Sequence, residues 1–204
     1  MDFNTWINDP GLTLRAALLE TLKIWGKMPV ASHPVDCKDV FPDGLNCLSG
    51  KASWKEVLAM NRPVILEFSL AAGEKRYAVL TGVRQSQSLV QLHGGMAFAL
   101  ADVVNFWDGY YLMLWKPPRP DMKVIYPAQS SDHVLWLRQQ LNVINGAQET
   151  ATNPRLFDEA LKKRIINFQH QNHLLEDGIA GAQTIIYLDN LSGSADSPHL
   201  EITD

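Results

Sequence analysis

The residues best suited to nucleophilic or metal chemistry in this chain of 204 residues are its two cysteines and six histidines. Both cysteines, Cys37 and Cys47, lie in one short segment, HPVDCKDVFPDGLNCLSG. A Cys–His pair can provide a thiolate and its base, whereas a zinc hydrolase needs ligands at close spacing, as in H-E-x-x-H. The sequence therefore raises two questions: whether the thiols react, and whether the histidines bind a metal.

The two thiols have alternative interpretations. If they are bonded, Cys37 and Cys47 close a loop across ten positions, which contributes about 3 kcal/mol of stability in the chain-entropy description. Such a bond persists only in an oxidising compartment. The alternative is a pair of unrelated buried thiols. We predict the disulfide, which would consume both candidate nucleophiles.

The histidines show no metal-binding spacing. They are His33, His93, His133, His170, His173 and His199, and none of them belongs to an H-E-x-x-H pattern. His170 and His173 are three residues apart and could bridge a metal, but they end a polar helix face. We therefore predict neither a metal nor a cofactor.

The elements that would position these residues fall into two groups, and the first mixes helices with strands. Amphipathic spacing predicts a helix over 14–26, and a shorter one follows over 53–60. Apolar, β-branched runs predict antiparallel strands with one short helix among them: strands over 63–70, 76–83, 88–93 and 109–115, and a helix over 101–107. Helices followed by an antiparallel meander predict an α+β domain over residues 1–116.

The second group is helical. Residues 117–130 begin within KPPRP and predict an extended, Pro-rich linker. Helical spacing then returns in VLWLRQQLNVI, FDEALKKRIINFQHQ and AGAQTIIYLDNL, which predicts a small three-helix, all-α domain over 131–191. The polar residues 192–204 predict a disordered tail.

Composition excludes several classes of protein. The formal net charge is -4, so no broad basic surface is expected for nucleic acid. No run of about 18 apolar residues is present that could span a membrane. The start, MDFNTWINDPG, lacks the pattern of a signal peptide. We interpret the chain as either cytosolic or a domain cut from a longer exported or membrane-anchored protein.

The turn between the last two helices, residues 169–184, is the candidate binding site, and we call it the corner. Gly178 and Gly181 permit positive φ and a close approach to the backbone, and Asp177 can accept backbone N–H bonds. Gln183 and Thr184 lie in the first turn of the last helix, where uncapped amides tolerate anions. The corner is therefore expected to form a polar pocket that tolerates an anion.

The helical half resembles the peptidoglycan-binding modules of the PG_binding_1 type. The resemblance rests on a leucine-bearing helix, Phe157-Asp158, Phe168-Gln169 and the corner pattern, over about residues 131 to 191. It departs at His173, where the family usually has glycine. The resemblance implies a three-helix fold, with these peptidoglycan-binding candidates: Gln169, Asp177, Gly178, Gly181, Gln183 and Thr184. Each of them can equally serve the turn itself.

The first half weakly resembles the bacteriocin-processing cysteine peptidases, a papain-like family, over residues 37 to 116. That family carries a catalytic His at the start of the strand matching RYAVLTGV, where this chain has Arg76 and Tyr77. Its Asp position falls on His93. Without a base, a thiol at neutral pH stays largely protonated. The resemblance therefore implies a degenerate peptidase fold that serves as a scaffold.

Both halves together resemble the periplasmic region of the general secretion pathway A family of type II secretion. The phrases that carry this resemblance are GLNCLSGKASW, MNRPVILEF, YAVLTG, FWDGYYLMLWKPP and VLWLRQQL. It implies a non-catalytic wall-binding region of an inner-membrane protein, with a separate cytosolic ATPase domain and a transmembrane helix. The implied partners are peptidoglycan, general secretion pathway protein B and, indirectly, the outer-membrane secretin; a homo-oligomer is compatible. The alternative is a wall hydrolase or cysteine peptidase that uses Cys37 or Cys47.

Overall fold

The chain folds into two compact units, Met1–Lys116 with Asp196–Asp204, and Pro117–Ala195. The computed structural model describes residues 1–27, 36–39, 41–71, 73–146, 150–193 and 197–204, so His33 lies outside the described residues. Within these ranges, no helix combines the length and the apolar character needed to cross a membrane.

The first unit is built on one twisted sheet with four helices. The helices are α1 (Phe3–Ile7), α2 (Leu14–Ile24), α3 (Trp54–Met60) and α4 (Leu100–Phe106). The strands are β1 (Asn46–Lys51), β2 (Val64–Ser69), β3 (Lys75–Arg84), β4 (Leu89–Leu92), β5 (Met96–Ala99), β6 (Trp107–Trp115) and β7 (Glu201–Thr203). The order is β1-β6-β2-β3-β4-β5 with antiparallel neighbours, while β7 pairs parallel with β3.

Helix α2 covers one face of this sheet and forms the main core with it. Its buried Leu18 and Leu22 pack in one cluster with Ile65 of β2, Val79 of β3 and Leu112 of β6. Thr13 caps the helix, because its side chain accepts a hydrogen bond from the N–H of Ala16. The mixture of helices and antiparallel sheet confirms the predicted α+β class.

The C-terminal residues are ordered, so the predicted disordered tail over 192–204 is wrong where the structure describes them. Residues 201–203 form β7 against residues 82–84 of β3. Leu200 is only 6% exposed, and Nδ1 of His199 lies 3.1 Å from the carbonyl oxygen of Asn61. The polar composition concealed this segment because a three-residue strand with one buried leucine leaves no periodic pattern.

The second unit contains three helices, α5 (Asp132–Asn145), α6 (Glu159–Gln171) and α7 (Ala182–Leu191). Ser131 caps α5 and Asp158 caps α6, each through a side chain that accepts a backbone N–H three residues ahead. The carboxylate of Asp158 also pairs with Arg138 at 2.6 Å. The N–H of Leu161, and then Arg138, hold the pKa of Asp158 below its ordinary value.

Residues 117–130, predicted to be an extended, Pro-rich linker, pack within the helical unit. Met122 is fully buried, and Ile125 is 1% exposed. Ile125 forms a bridge with Ala180, and the N–H of Ala128 donates to the carbonyl of Phe157 at 2.8 Å. Prolines prevented helix and strand patterns here, but they did not prevent burial.

Candidate functional site

The buried side chain of Gln169 organises the corner. Its Nε2 donates to Asp177 Oδ1 at 3.0 Å, to the carbonyl of Ile179 at 2.9 Å and to Thr184 Oγ1 at 3.3 Å. Its Oε1 accepts the N–H of Gly178 at 2.9 Å. Gln169 is 1% exposed and Thr184 is 4% exposed. Both residues were predicted to bind ligand, but in this structure they hold the turn together.

Asp177 closes the turn from its other side. Its Oδ1 accepts the N–H of Ile179 at 2.8 Å in addition to the bond from Gln169. Asp177 itself is exposed at the surface. A carboxylate in this position fixes the backbone and still presents its second oxygen to solvent.

The two corner glycines serve different purposes. Gly178 has φ +71° and is buried; a Cβ there would meet Lys162 Cγ at 2.9 Å. Gly181 has φ -79°, so it does not use the positive φ that a glycine permits. A Cβ on Gly181 would meet nothing within 4 Å. Gly178 is therefore required by the turn, whereas Gly181 borders open space.

Three of the predicted ligand-binding residues can be reached by a ligand at the corner. They are exposed Asp177 and half-buried Gly181 and Gln183. Gly181 is the N-cap of α7, and as a glycine it has no side chain that could accept a hydrogen bond from the first turn of this helix. These first-turn N–H groups suit a carbonyl or carboxylate oxygen of a ligand.

The histidines near the corner do not assemble a metal site. His170 Nδ1 lies 2.8 Å from Glu176 Oε1, and both side chains are largely exposed. Among the described ranges, no group of three or more His, Cys, Asp or Glu side chains is arranged to hold a metal ion.

The first unit lacks the thiol that a cysteine peptidase would use. Cys37 and Cys47 form a disulfide, as predicted, with Cα atoms 5.2 Å apart. His93 is half-buried, and its Nδ1 accepts the N–H of Val79 at 3.2 Å. Burial lowers the pKa of this imidazole. One ring nitrogen of His93 is thus committed to β3, and neither cysteine is a thiol.

Arg76 and Tyr77, at the predicted position of the peptidase base, make contacts that do not suit a base. Arg76 pairs with Glu74 at 2.6 Å, and the N–H of Tyr77 donates to the carbonyl of Leu12, just before α2. Burial raises the pKa of the Tyr77 hydroxyl. A guanidinium and a protonated phenol do not accept a proton at neutral pH.

Comparison with known proteins identifies both halves. Residues 130–188 match the family model PG_binding_1, described as "Putative peptidoglycan binding domain". The chain is 28% identical over 188 residues to general secretion pathway protein A of Aeromonas hydrophila, covering 91% of this chain and 34% of that protein. It is 31% identical over 176 residues to "Putative general secretion pathway protein A" of Escherichia coli (strain K12), covering 84% of this chain and 35% of that protein.

The chain is similar to general secretion pathway protein A over most of its own length. It spans about a third of the length of these curated relatives. A crystal structure of a periplasmic domain of the EpsAB fusion protein of the Vibrio vulnificus type II secretion system has the same fold. The TM-score is 0.57 at 22% identity, with 95% of this chain and 86% of that chain covered. The predicted resemblances to the PG_binding_1 type and to the general secretion pathway A family are confirmed.

Sequence reasoning missed two residues beside the corner. Val124 and Tyr126 flank Ile125, which bridges to Ala180, and both are exposed. We had placed them in the linker, outside the binding domain. The β-branched and aromatic run of residues 124–126 is the sequence signal that could have indicated a paired segment here.

Proposed function

We propose that this chain is a non-catalytic peptidoglycan-binding module that acts in the periplasm during assembly of a type II secretion system. The single observation that carries the proposal is the corner: a complete, internally bonded turn in a domain that matches a peptidoglycan-binding family. The wall polymer contacts the accessible part of the corner, namely Asp177, Gly181 and Gln183. Gln169, Gly178 and Thr184 act indirectly, by holding that surface in shape.

The chemistry of the wall polymer suits this surface. Peptidoglycan carries lactyl ethers, amides and carboxylates, which accept hydrogen bonds from backbone N–H groups. The first turn of α7 offers such groups beside Gly181, where no Cβ blocks the approach. A rigid turn also lowers the entropy lost on binding.

The first unit acts as a scaffold without peptidase or hydrolase activity. A disulfide occupies both cysteines, and the positions of the peptidase base and acid carry Arg76, Tyr77 and His93. The alternative function, a wall hydrolase or cysteine peptidase, would need a thiolate and an oriented base. A degenerate papain-like domain fits these residues better.

The similarity to general secretion pathway protein A supports a proposal about the secretion assembly in which the chain acts. The chain corresponds to the periplasmic region of an inner-membrane protein whose other parts include a cytosolic ATPase domain. Its partners are general secretion pathway protein B and, indirectly, the secretin, whose assembly through the cell wall it guides or anchors. Support for this part comes from the similarity to general secretion pathway protein A over most of the chain.

Sedimentation of the full chain with purified sacculi tests the proposal. The wild-type chain should co-sediment, and Gly181→Trp should lose binding, because the indole fills the open space beside α7 without backbone strain. Val143→Trp is the matched control, since Val143 is 64% exposed on α5 and lies outside the corner. If the wild-type chain stays in the supernatant, or if both variants bind equally, the proposal is wrong.

A further inference from the structure

A short segment before the helical domain forms part of the same surface as the corner. The N–H of Ile125 donates to the carbonyl of Ala180 at 3.0 Å, and the N–H of Ala180 donates to the carbonyl of Ile125 at 3.1 Å. The two residues form an antiparallel bridge and are 1% and 0% exposed. The bridge therefore fixes residues 124–126 directly against the residues that lead into α7.

The neighbours of this bridge face the opposite way. Side chains alternate along an extended pair, so Val124 and Tyr126 project from the face opposite to buried Ile125. Their exposed fractions of 39% and 50% agree with this arrangement. In the antiparallel register set by Ile125 and Ala180, Val124 lies opposite Gly181 and Tyr126 lies opposite Ile179. An apolar, aromatic edge thus borders the open space at Gly181.

Tyr126 is anchored through its backbone. Its N–H donates to Gln129 Oε1 at 3.1 Å, and Pro127 follows it in the chain. Within the described ranges its ring stacks on no other aromatic ring and its hydroxyl has no partner. An isolated exposed aromatic residue would need no explanation. This one stands on a hydrogen-bonded backbone opposite Ile179, two residues before Gly181 in the paired segment, which is the arrangement of a binding platform.

We propose that Tyr126 binds a sugar ring of the glycan strand while the corner holds the polar groups attached to it. This inference rests on the proposed function and assigns the glycan, rather than the peptide, to the segment before the domain. The C–H face of a pyranose is apolar and matches the flat face of a phenol ring, while the hydroxyl can bond to a ring substituent. Tyr126 lies outside residues 130–188, the part that matches the family model.

The test compares Tyr126→Ala and Tyr126→Phe in the full chain. The ligands are intact sacculi and glycan strands from which an amidase has removed the peptides. Tyr126→Ala should weaken binding to both ligands by about three- to tenfold, the range expected for one aromatic stacking contact. Tyr126→Phe should bind within about twofold of wild type, because it keeps the ring. Tyr110→Ala is the matched control, since Tyr110 is 47% exposed in the first unit.

The outcomes separate this inference from the proposed function. If Gly181→Trp abolishes binding but Tyr126→Ala binds like wild type, the inference is overturned and the wall-binding function stands. Unchanged binding of Tyr126→Ala to peptide-free glycan also overturns it. If the wild-type chain binds neither ligand, the proposed function fails first. Equal losses in Tyr126→Ala and Tyr110→Ala would show a nonspecific effect and overturn the inference.

Discussion

Gln169 shows how a single buried amide determines the shape of the corner. An amide has two acceptor lone pairs and two N–H donors, and here it meets a carboxylate, a carbonyl, a hydroxyl and a backbone N–H. The two N–H hydrogens are shared among the three oxygen atoms, and the amide oxygen accepts the backbone N–H. One of the six residues predicted to bind ligand thus lies at the centre of the turn.

The substitution Gln169→Glu should destabilise the helical unit by about 3–5 kcal/mol at neutral pH. The carboxylate has the same shape, but it would place a buried charge against the oxygen atoms of Asp177, Ile179 and Thr184. The loss should shrink as the pH falls, because the protonated carboxyl regains one donor. Urea denaturation followed by far-UV circular dichroism measures this difference.

Gln171→Glu provides the control, since Gln171 is exposed at the end of the same helix. It should change the free energy of unfolding by no more than about 0.5 kcal/mol. A Gln169→Glu variant as stable as this control would mean that the four hydrogen bonds do not organise the corner.

The presence of a tight turn at the corner was predictable from residue types, but the role of each residue in the turn was not. Asp177 and Gly178 indicate a tight turn in any sequence context, and the structure places both in one. Local sequence does not show that α6 closes over Gly178 while the space at Gly181 stays open. That difference depends on tertiary packing, which decides whether a side chain is accessible.

Among the secondary-structure elements, the disulfide joins the segment 36–39 to strand β1. Cys47 lies opposite Leu114 in the pairing of β1 with β6, and both cysteines pack against the core cluster beneath α2. The bond therefore fixes an irregular segment to the edge of the sheet. The disulfide therefore has a structural role, and it leaves neither cysteine as a thiol for catalysis.

Thiol titration of the denatured, unreduced chain should find no reactive cysteine. The double substitution Cys37→Ser with Cys47→Ser should destabilise the first unit by about 2–4 kcal/mol, because the unfolded chain regains its freedom. Tryptophan fluorescence reports this unit, which contains five of the six tryptophans: 6, 25, 54, 107 and 115.

Reduction with dithiothreitol should lower the stability of the wild-type chain to that of the double variant and leave the variant unchanged. Two reactive thiols in the unreduced chain would contradict the disulfide. They would also restore the cysteine-peptidase alternative to consideration.

The predicted strands were those with long apolar runs. Of the missed strands, β1 and β7 lack such a run, and β5 is apolar but only four residues long. Strands β2, β3, β4 and β6 lie within or close to the ranges expected from β-branched residues. Strand β1 reads NCLSGK and occupies an edge of the sheet, where polar residues and glycine are tolerated. Its assignment depends on pairing with β6, which is a nonlocal interaction.

At the scale of the whole molecule, the first unit is discontinuous in sequence. The chain leaves it at Lys116, forms the helical unit, and returns at Asp196. Sequence patterns placed the boundary near the prolines, but they could not show that the chain comes back. Only the contacts of Leu200 and β7 reveal this, and they involve very few residues.

The returning segment should contribute measurably to the stability of the first unit. Leu200→Ala should lower its free energy of unfolding by about 2 kcal/mol, because Leu200 is nearly buried. Ile202→Ala, at a residue 42% exposed in β7, should cost less than about 0.5 kcal/mol. Chemical denaturation monitored by tryptophan fluorescence compares them. Equal and negligible effects would mean that residues 197–204 do not stabilise the first unit.

The return of the chain to β3 has a consequence for biosynthesis. Residues 201–203 emerge from the ribosome only after the entire helical unit, so the sheet cannot be completed while that unit is being made. Helices α5 to α7 make mainly local contacts and can fold first. Until β7 arrives, residues 82–84 of β3 lack this parallel partner, and an open strand is prone to mispairing. The newly made chain is therefore most vulnerable to proteases, and most dependent on chaperones, in the interval between the folding of the helical unit and the pairing of β7 with β3.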